Sequence, residues 1–564
     1  MNKNGIIKNN LDILVKDILT LKPENRAGRI LNTEHPDKVI PLFPPEELFL
    51  TLNESEHTEA LSILESASAT QINYFFDIDL WMGDRLNPDK FKKWMLYLDQ
   101  LDYDSLSNII KDLNLSLIAL CFSIYVNIRF SVGNDDTEEL SGDTIDGVYY
   151  FSFKEDWVGS PFINFISHIK AELGAVYIEF LRSIFGAVQT EDESDEYRLR
   201  NTRLSSYGYP DYDSAVLVYK PLSLDDLIKE PKKNSRADLS NLVKNRTEAG
   251  YSSMIPNYPV LYRDEKLLLF DRIYGKAASI VQDELRFELA NISNCIIVAD
   301  KTGDVSSRAI RDSVLRAKSY ISLSLENVTG EDEHRALLLL ENYYLKSLFQ
   351  HACYILNNLR LKGRAILRKG IFSAFKSREE VDDFLGEGYS PYFLGIFMHC
   401  PLYYYRDENN MDSYRDFGSA KDVNMIDDII NGLEFCSKII HGLFKIPCLD
   451  VYDLYCRSRI DITACFSTLF LRMLWDNSPR LKPFARGELA DMINILKKDE
   501  SVFGEFYRRI QGYLKANIPN IAENRAVWNI LKKSIFNIFD EIRDIEFIVP
   551  EDIPRMVSSI AFMD

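Results

Sequence analysis

The chain has 564 residues, of which 46% are hydrophobic and 12% aromatic, and its formal net charge is −19. The hydrophobic content excludes a largely disordered chain, and the length predicts more than one domain. The negative charge disfavours general nucleic-acid binding, because it repels phosphates over most of the surface.

Membrane and secretion signals are weak in this sequence. The most apolar stretch, Leu113–Ile128, contains Asn114 and Ser116 and falls short of the roughly 20 apolar residues that cross a bilayer. The first residues lack the apolar core of a secretory signal, and the eight cysteines include no CxxC pair. These features predict an acidic cytoplasmic protein without a membrane span.

Short amphipathic helices are predicted along the first 130 residues. Examples are Ile7–Leu21, His57–Ala67 and Asp89–Leu101, the last preceded by a capping Asn87-Pro88 pair. No helix of this length buries its apolar face alone, so the pattern predicts a stacked array. Residues 71–85, QINYFFDIDLWMGDR, combine aromatic and acidic side chains at the centre of this array and are called the hub below.

The chain changes character after residue 130. Gly147–Lys154 alternates as a strand does, which predicts a small β-hairpin near residues 128–154. Helical periodicity returns over Pro161–Val188, and Glu191–Glu196 is interpreted as an acidic break. From Lys220 to Asn257 the sequence is polar and typical of a linker.

Longer helices are predicted in the second half, including Leu267–Ala299 and Glu331–Leu367, and helices of this length favour a bundle. Gly386–Tyr405 is interpreted as an aromatic loop. The predicted fold class is therefore mainly α, with a stacked short-helix array followed by a larger helical bundle and one small hairpin. The predicted segments are the array 1–130, the hairpin and helices 131–220, the linker 221–260, the long-helix bundle 261–405 and the C-terminal helical region 406–564.

Four segments carry a resemblance to a known family. They are ATQINYFFDIDLW, RLSSYGYPDYDSAVLVYKPL, YYLKSLFQHACYILNNLRLKGRAIL and TLFLRMLWDNSPRLKPFARGEL. From about Asp37 to Lys498 the chain resembles a bacterial family known as domain of unknown function 6178, which implies no activity and no catalytic residues. Pro36–Phe122 also resembles the helical N-terminal domain of magnesium transporters of the MgtE type. That likeness implies acidic helix faces that respond to divalent cations, but the transporter's membrane part is missing from the sequence.

The acidic residues of the hub are candidate metal ligands. Carboxylate oxygens of Asp77, Asp79 and Asp84 are the ligand type that Mg²⁺ or Ca²⁺ prefers. The alternative is that these aspartates cap short helices and face water. No other cofactor is predicted.

Catalytic motifs are missing from the sequence, which has no HExxH, GxSxG, P-loop or GxGxxG pattern. No catalytic or cofactor-binding residue is therefore predicted, and a non-enzymatic role is favoured, with an enzyme of unrecognised type left open. Asp300-Lys301-Thr302-Gly303 is typical of the phosphorylated aspartate in P-type ATPases. Because a helix precedes it and Asp304 would repel phosphate, a helix-ending turn is the preferred interpretation.

The leading functional hypothesis is a protein-interaction or scaffold module. Stacked helices bind partner segments, and exposed aromatic or arginine side chains anchor them. A divalent-cation-responsive regulator that uses the hub is the first alternative. Nothing in the sequence selects an oligomeric state. The candidate partner-binding residues are Trp81, Tyr403, Tyr404, Tyr405, Arg364 and Arg368.

Overall fold

Helices account for most of the part of the chain that the structure, a computed structural model, describes, so the predicted mainly α class is confirmed. The described residues are 3–130, 142–187, 189–232, 256–263, 268–300, 306–476, 480–498, 500–517, 528, 534 and 560–563. They form two compact units, Met1–Ala352 and Cys353–Asp564. The five-segment division of the sequence stays a prediction.

The first unit begins with the predicted run of short helices. Pro45 and Pro88 each occupy the first turn of a helix, where a missing N–H is no loss. Ser68 caps the helix Ala69–Asp79 because its hydroxyl accepts a hydrogen bond from the Gln71 N–H. In the other direction, the Ser68 N–H donates to Gln71 Oε1. The helices are Lys3–Leu19, Arg26–Leu31, Pro36–Val39, Pro45–Asn53, His57–Leu64, Ala69–Asp79, Pro88–Leu98, Tyr103–Lys111 and Leu115–Ser123.

The predicted hairpin is present. Val126–Phe130 pairs antiparallel with Tyr149–Phe153, and Ile128 lies opposite Phe151, while residues 131–141 lie outside the described part. The helices that follow are Gly159–Glu172, Gly174–Phe185, Gln189–Ser205, Tyr212–Val216 and Leu224–Lys229. Much of the predicted linker, residues 233–255, also lies outside the described part.

The predicted acidic break at Glu191–Glu196 is wrong, because these residues are helical within Gln189–Ser205. Acidic side chains stabilise the first turns of a helix through its dipole. Glu193 and Glu196 are also buried, and they form ion pairs with Arg85 and with Arg203 of the same helix, respectively.

The predicted helix Glu331–Leu367 is interrupted. Tyr343 is extended, and the chain becomes helical again at Leu345, whose N–H donates to Glu288 Oε2 at 2.6 Å. A carboxylate from another helix thus acts as the cap for a new helix start. The boundary between the two units falls within this last helix. The helices of this region are Tyr258–Leu261, Leu269–Tyr274, Ser279–Ala299, Ser307–Thr329, Glu333–Asn342 and Leu345–Ile366.

In the second unit, the predicted aromatic loop Gly386–Tyr405 is wrong. Its first part belongs to the helix Arg378–Phe397, which bends at Gly386 with a positive φ of 66°. Its end forms the strand Leu402–Arg406, paired antiparallel with Asp412–Asp416. Further elements of this unit are the helices Ala420–Ser437, Lys438–Leu443, Cys448–Ser458, Ile462–Trp475, Arg486–Lys498 and Glu500–Asn517 and the parallel pair Phe484–Ala485 with Phe562–Met563.

Among the described residues, no single helix is both long and apolar enough to cross a bilayer. Tyr103–Lys111 and Leu115–Ser123 reach the required length and apolarity only as a pair, and the chain bends by 106° between them.

A buried ion pair connects distant parts of the first unit. The side chains of Arg26 and Glu47 are both fully buried, with 2.6 Å between Arg26 Nη1 and Glu47 Oε2. The other carboxylate oxygen, Oε1, accepts hydrogen bonds from the backbone N–H groups of Asn257 and Tyr258, the latter at 2.7 Å. Glu47 therefore attaches residues 257–258 to the helical array.

Replacing Glu47 with alanine tests this connection. Glu47→Ala should lower the free energy of unfolding by about 3–5 kcal/mol, because it leaves Arg26 as a buried charge without its counter-ion. Urea unfolding followed by circular dichroism measures the change. The control is Glu24→Ala, which removes an exposed ion pair with Lys22 and should cost roughly 1 kcal/mol or less. Equal losses in both variants would contradict the prediction.

Candidate functional site

The hub folds as the end of a helix followed by a tight turn. Trp81–Met82 pairs antiparallel with Arg85–Leu86, and Gly83 lies between them with a φ of 67°. This left-handed conformation suits glycine because it has no Cβ. Phe75 and Phe76 are fully buried and Trp81 is 2% exposed, so these hub aromatics pack inward.

Aromatic contacts fix the hub from two sides. Phe75 stacks on Trp94 with 5.7 Å between ring centres, and Phe76 meets Trp94 edge-on at the same distance. Trp81 packs against Tyr197 of the helix Gln189–Ser205 at 5.6 Å. Such pairs contribute about 0.5–1.5 kcal/mol each beyond their buried area. The hub is thereby held between the helices that carry Trp94 and Tyr197.

The expectation that the hub aspartates face water or cap helices is wrong for Asp77 and Asp79, which are 3% and 2% exposed. Arg203 Nε and Nη2 donate to the two carboxylate oxygens of Asp77 at 2.8 and 2.7 Å. Asp79 accepts hydrogen bonds from Lys90 Nζ and Trp94 Nε1, both at 2.9 Å. Each carboxylate is buried because a cation from elsewhere in the first unit reaches it.

The ion pair between Asp77 and Arg203 has opposing effects on its two pKa values. Burial raises the pKa of Asp77 above its ordinary value, because loss of water outweighs the attraction of Arg203. Burial alone would lower the pKa of Arg203, but Asp77 and Glu196 together reverse this and raise it. Desolvation offsets much of the attraction in buried pairs of this kind, and the two-point geometry fixes the helix Gln189–Ser205 against the hub.

Arg200 lies one turn before Arg203 on the same helix. Its Nε donates to the Asp77 backbone carbonyl at 2.5 Å, and its Nη1 donates to Asn201 Oδ1 at 3.1 Å. The guanidinium carbon is 5.8 Å from the Trp81 ring centre and 5.5 Å from that of Tyr197, within cation–π range. Burial lowers the pKa of Arg200 from its ordinary value. Its Nη2 has no hydrogen-bond partner among the described residues.

A cavity of about 460 Å³ adjoins this arginine. Trp81, Tyr197 and Tyr209 supply aromatic walls, and Ile297 and Val298 of the helix Ser279–Ala299 close another side. The buried Nε1–H of Trp81 has no hydrogen-bond partner among the described residues. The volume lies in the range of ordinary ligand sites, and apolar walls with few convergent polar groups are typical of such sites.

The structure separates the three aspartates predicted as metal ligands. Asp84 is exposed and lines the cavity, as does the predicted partner-binding residue Trp81. Asp77 and Asp79 bind Arg203 and Lys90 instead. Metal binding by these residues stays a prediction.

The other predicted partner-binding residues lie in the second unit. Tyr404 is buried and its hydroxyl donates to Asp412 Oδ1 at 2.5 Å, while Tyr403 and Tyr405 are half-buried in the same strand. The guanidinium carbon of Arg364 lies 5.8 Å from the Phe397 ring centre, and Arg368 is exposed. Their role in partner binding stays a prediction.

Sequence reasoning missed Arg200, Tyr197 and Tyr209 as site residues. The signals were the arginine-rich stretch from Arg198 to Arg203 and the YGYPDY segment after it. Neither pattern indicates which distant residues these side chains contact. Only the folded chain places Arg200, Tyr197 and Tyr209 beside Trp81.

The model of a family of unknown function (DUF6178) matches the chain over residues 8–560. The chain belongs to this family. No curated protein and no solved structure matches it. Membership assigns no catalytic residue, so the cavity has to be interpreted from its own chemistry. The resemblance of Pro36–Phe122 to the transporter domain stays a prediction.

Replacing Arg203 tests the ion pair that supports the cavity. Arg203→Leu should lower the free energy of unfolding by about 3–5 kcal/mol near neutral pH, because Asp77 loses its main counter-ion. Adding Asp77→Asn should restore part of this loss. Urea unfolding of the single and double variants measures both changes.

The free energy of unfolding of Arg203→Leu should also depend on pH, with a sign that the pKa of Asp77 defines. The pKa of Asp77 is already raised in the folded chain, and loss of Arg203 raises it further. The folded state then binds more protons than the unfolded state, so Arg203→Leu should regain stability relative to wild type as the pH falls from neutral toward the ordinary pKa of an aspartate, about 4. Arg198→Leu, an exposed position on the same helix, is the control and should show neither effect. An Arg203→Leu variant as stable as this control would refute the assignment.

Proposed function

We propose that this protein is a helical interaction module and that the cavity beside the hub receives an anchoring group of a partner protein. The observation that supports this most directly is the fixed donor set at the cavity wall. Arg200 is fixed by its hydrogen bond to the Asp77 carbonyl and by packing on two aromatic rings, and its Nη2 lacks an acceptor in the described chain.

The composition of the wall suits recognition of a protein. Trp, Tyr and Arg are the residue types that contribute most binding energy at protein interfaces, particularly in desolvated pockets. Trp81, Tyr197, Tyr209 and Arg200 bring these types together in one cavity. Because Arg203 and the hub fix their positions, little side-chain entropy is lost on binding.

A cytoplasmic location is part of the proposal. Cys121, Cys436 and Cys465 are buried free thiols, a state that a reducing compartment maintains. Burial raises the pKa of Cys121, which keeps the thiol protonated and unreactive.

Selection from a displayed random-peptide library tests the proposal. Peptides selected on the wild-type protein should bind far more weakly to Val298→Phe, because the larger side chain fills the cavity. Ile280→Phe is the matched control, since residue 280 is exposed on the same helix. Calorimetry with the selected peptides measures affinity, and circular dichroism confirms the folding of both variants.

Two results would count against partner binding in the cavity. One is selection of peptides that bind Val298→Phe as tightly as wild type. The other is a turnover activity of the purified protein that Val298→Phe abolishes, which would favour the alternative of an enzyme of unrecognised type.

The second alternative is a divalent-cation-responsive regulator that uses Asp77, Asp79 and Asp84. Since Asp77 and Asp79 already bind Arg203 and Lys90, millimolar Mg²⁺ or Ca²⁺ should leave the melting temperature unchanged. Thermal melting with and without the cation measures this. An upward shift in wild type that disappears in Asp84→Asn would support the regulator instead.

A further inference from the structure

We infer that the anchoring group is a carboxylate beside an aromatic ring, as at the C-terminal aromatic residue of a partner chain. This inference rests on the proposed function and specifies the ligand class of the same cavity. It is carried by Arg200 and Asn201, two lining residues of a cavity with aromatic walls that have N–H donors without an acceptor among the described residues.

The donors define the polar part of the ligand. Arg200 uses Nε and Nη1 within the chain and leaves Nη2 without an acceptor among the described residues, and Asn201 uses its carbonyl oxygen to accept from Arg200, which leaves its amide N–H groups for a ligand. A carboxylate has two oxygens that accept several hydrogen bonds, and its planar shape matches a guanidinium fork. A ligand without acceptors would cover these donors and leave them unpaired, at a cost in affinity.

Charge in the cavity also favours an anion. Arg203 takes both carboxylate oxygens of Asp77, so the positive charge of Arg200 is not matched by a carboxylate of its own. Two acidic residues, Asp84 and Asp211, line the cavity but are exposed to solvent, where water and salt weaken their field. Asp211 is moreover committed to its helix cap, with Ser214 N and Oγ at 2.9 and 2.8 Å.

The remaining walls define the apolar part. The rings of Tyr197 and Tyr209, with Leu204 and Ile297, offer flat apolar surface next to the donors. An acidic side chain inside a partner sequence brings a carboxylate but no ring. A C-terminal aromatic residue carries both on one Cα, so a single residue occupies both parts of the cavity.

N-acetylphenylalanine and its C-terminal amide test the inference, since they differ only in the carboxylate. Calorimetry should show that the wild-type protein binds the acid roughly ten- to hundredfold more tightly than the amide. Arg200→Gln should abolish this preference, and Arg200→Lys, which keeps the charge but loses the fork, should give an intermediate ratio. Arg198→Gln, an exposed position on the same helix, should leave it unchanged.

A second pair of variants keeps the test independent of whether Arg200→Gln folds. Asp84→Asn alters an exposed side chain and should strengthen binding of the acid several-fold by removing a like charge. Asn201→Ala removes the amide N–H groups, so it should reduce the preference for the acid. If neither variant changes the ratio of the two affinities, the donor assignment is overturned.

The outcomes separate this inference from the proposed function. Equal affinity for acid and amide, with both blocked by Val298→Phe, overturns the carboxylate and leaves the cavity as a partner site. Absence of binding for both compounds also overturns the inference, while the peptide selection decides the proposed function separately. Tighter binding of free phenylalanine than of its acetylated form would overturn the chain-terminus assignment in favour of a small amino acid.

Discussion

The bidentate ion pair between Asp77 and Arg203 is the interaction on which the candidate site depends. It joins the hub helix to the helix Gln189–Ser205 and satisfies the buried carboxylate completely. Arg200, one turn away, donates instead to the Asp77 backbone carbonyl. Its guanidinium charge therefore has no carboxylate in direct contact within the described part of the chain. If Arg203 were absent, Arg200 would be the nearest counter-ion for Asp77, and the donor set at the cavity would be lost.

Buried charges have a similar role elsewhere in the first unit. Glu47 connects Arg26 to the backbone of residues 257–258, and Lys318 pairs with Asp271 while both side chains are almost fully buried. Pairs of this kind often add little net stability, because desolvation offsets attraction. However, a buried ion pair requires both partners at hydrogen-bond distance, so it defines which segments of the chain pack together. In this unit, aromatic and aliphatic packing supplies the burial, and the ion pairs select the arrangement.

Sequence reasoning succeeded where local chemistry decides structure. Asn87-Pro88 starts a helix as predicted, and the alternation of Gly147–Lys154 corresponds to the strand Tyr149–Phe153. It failed where long-range contacts override local pattern. Glu191–Glu196 has the local pattern of a break but is helical, and the buried Glu193 there pairs with the distant Arg85. Tyr403–Tyr405 forms a paired strand because Asp412–Asp416 returns beside it.

The sequence by itself determined the helical class and the family, because periodicity, capping residues and composition act over a few neighbouring residues. Only the tertiary structure decided the environment of each aspartate and the existence of the cavity. Asp77, Asp79 and Asp84 look alike in the sequence, yet two are buried against cations and one faces solvent. That difference depends on which distant side chain reaches each carboxylate, and a local pattern holds no information about it.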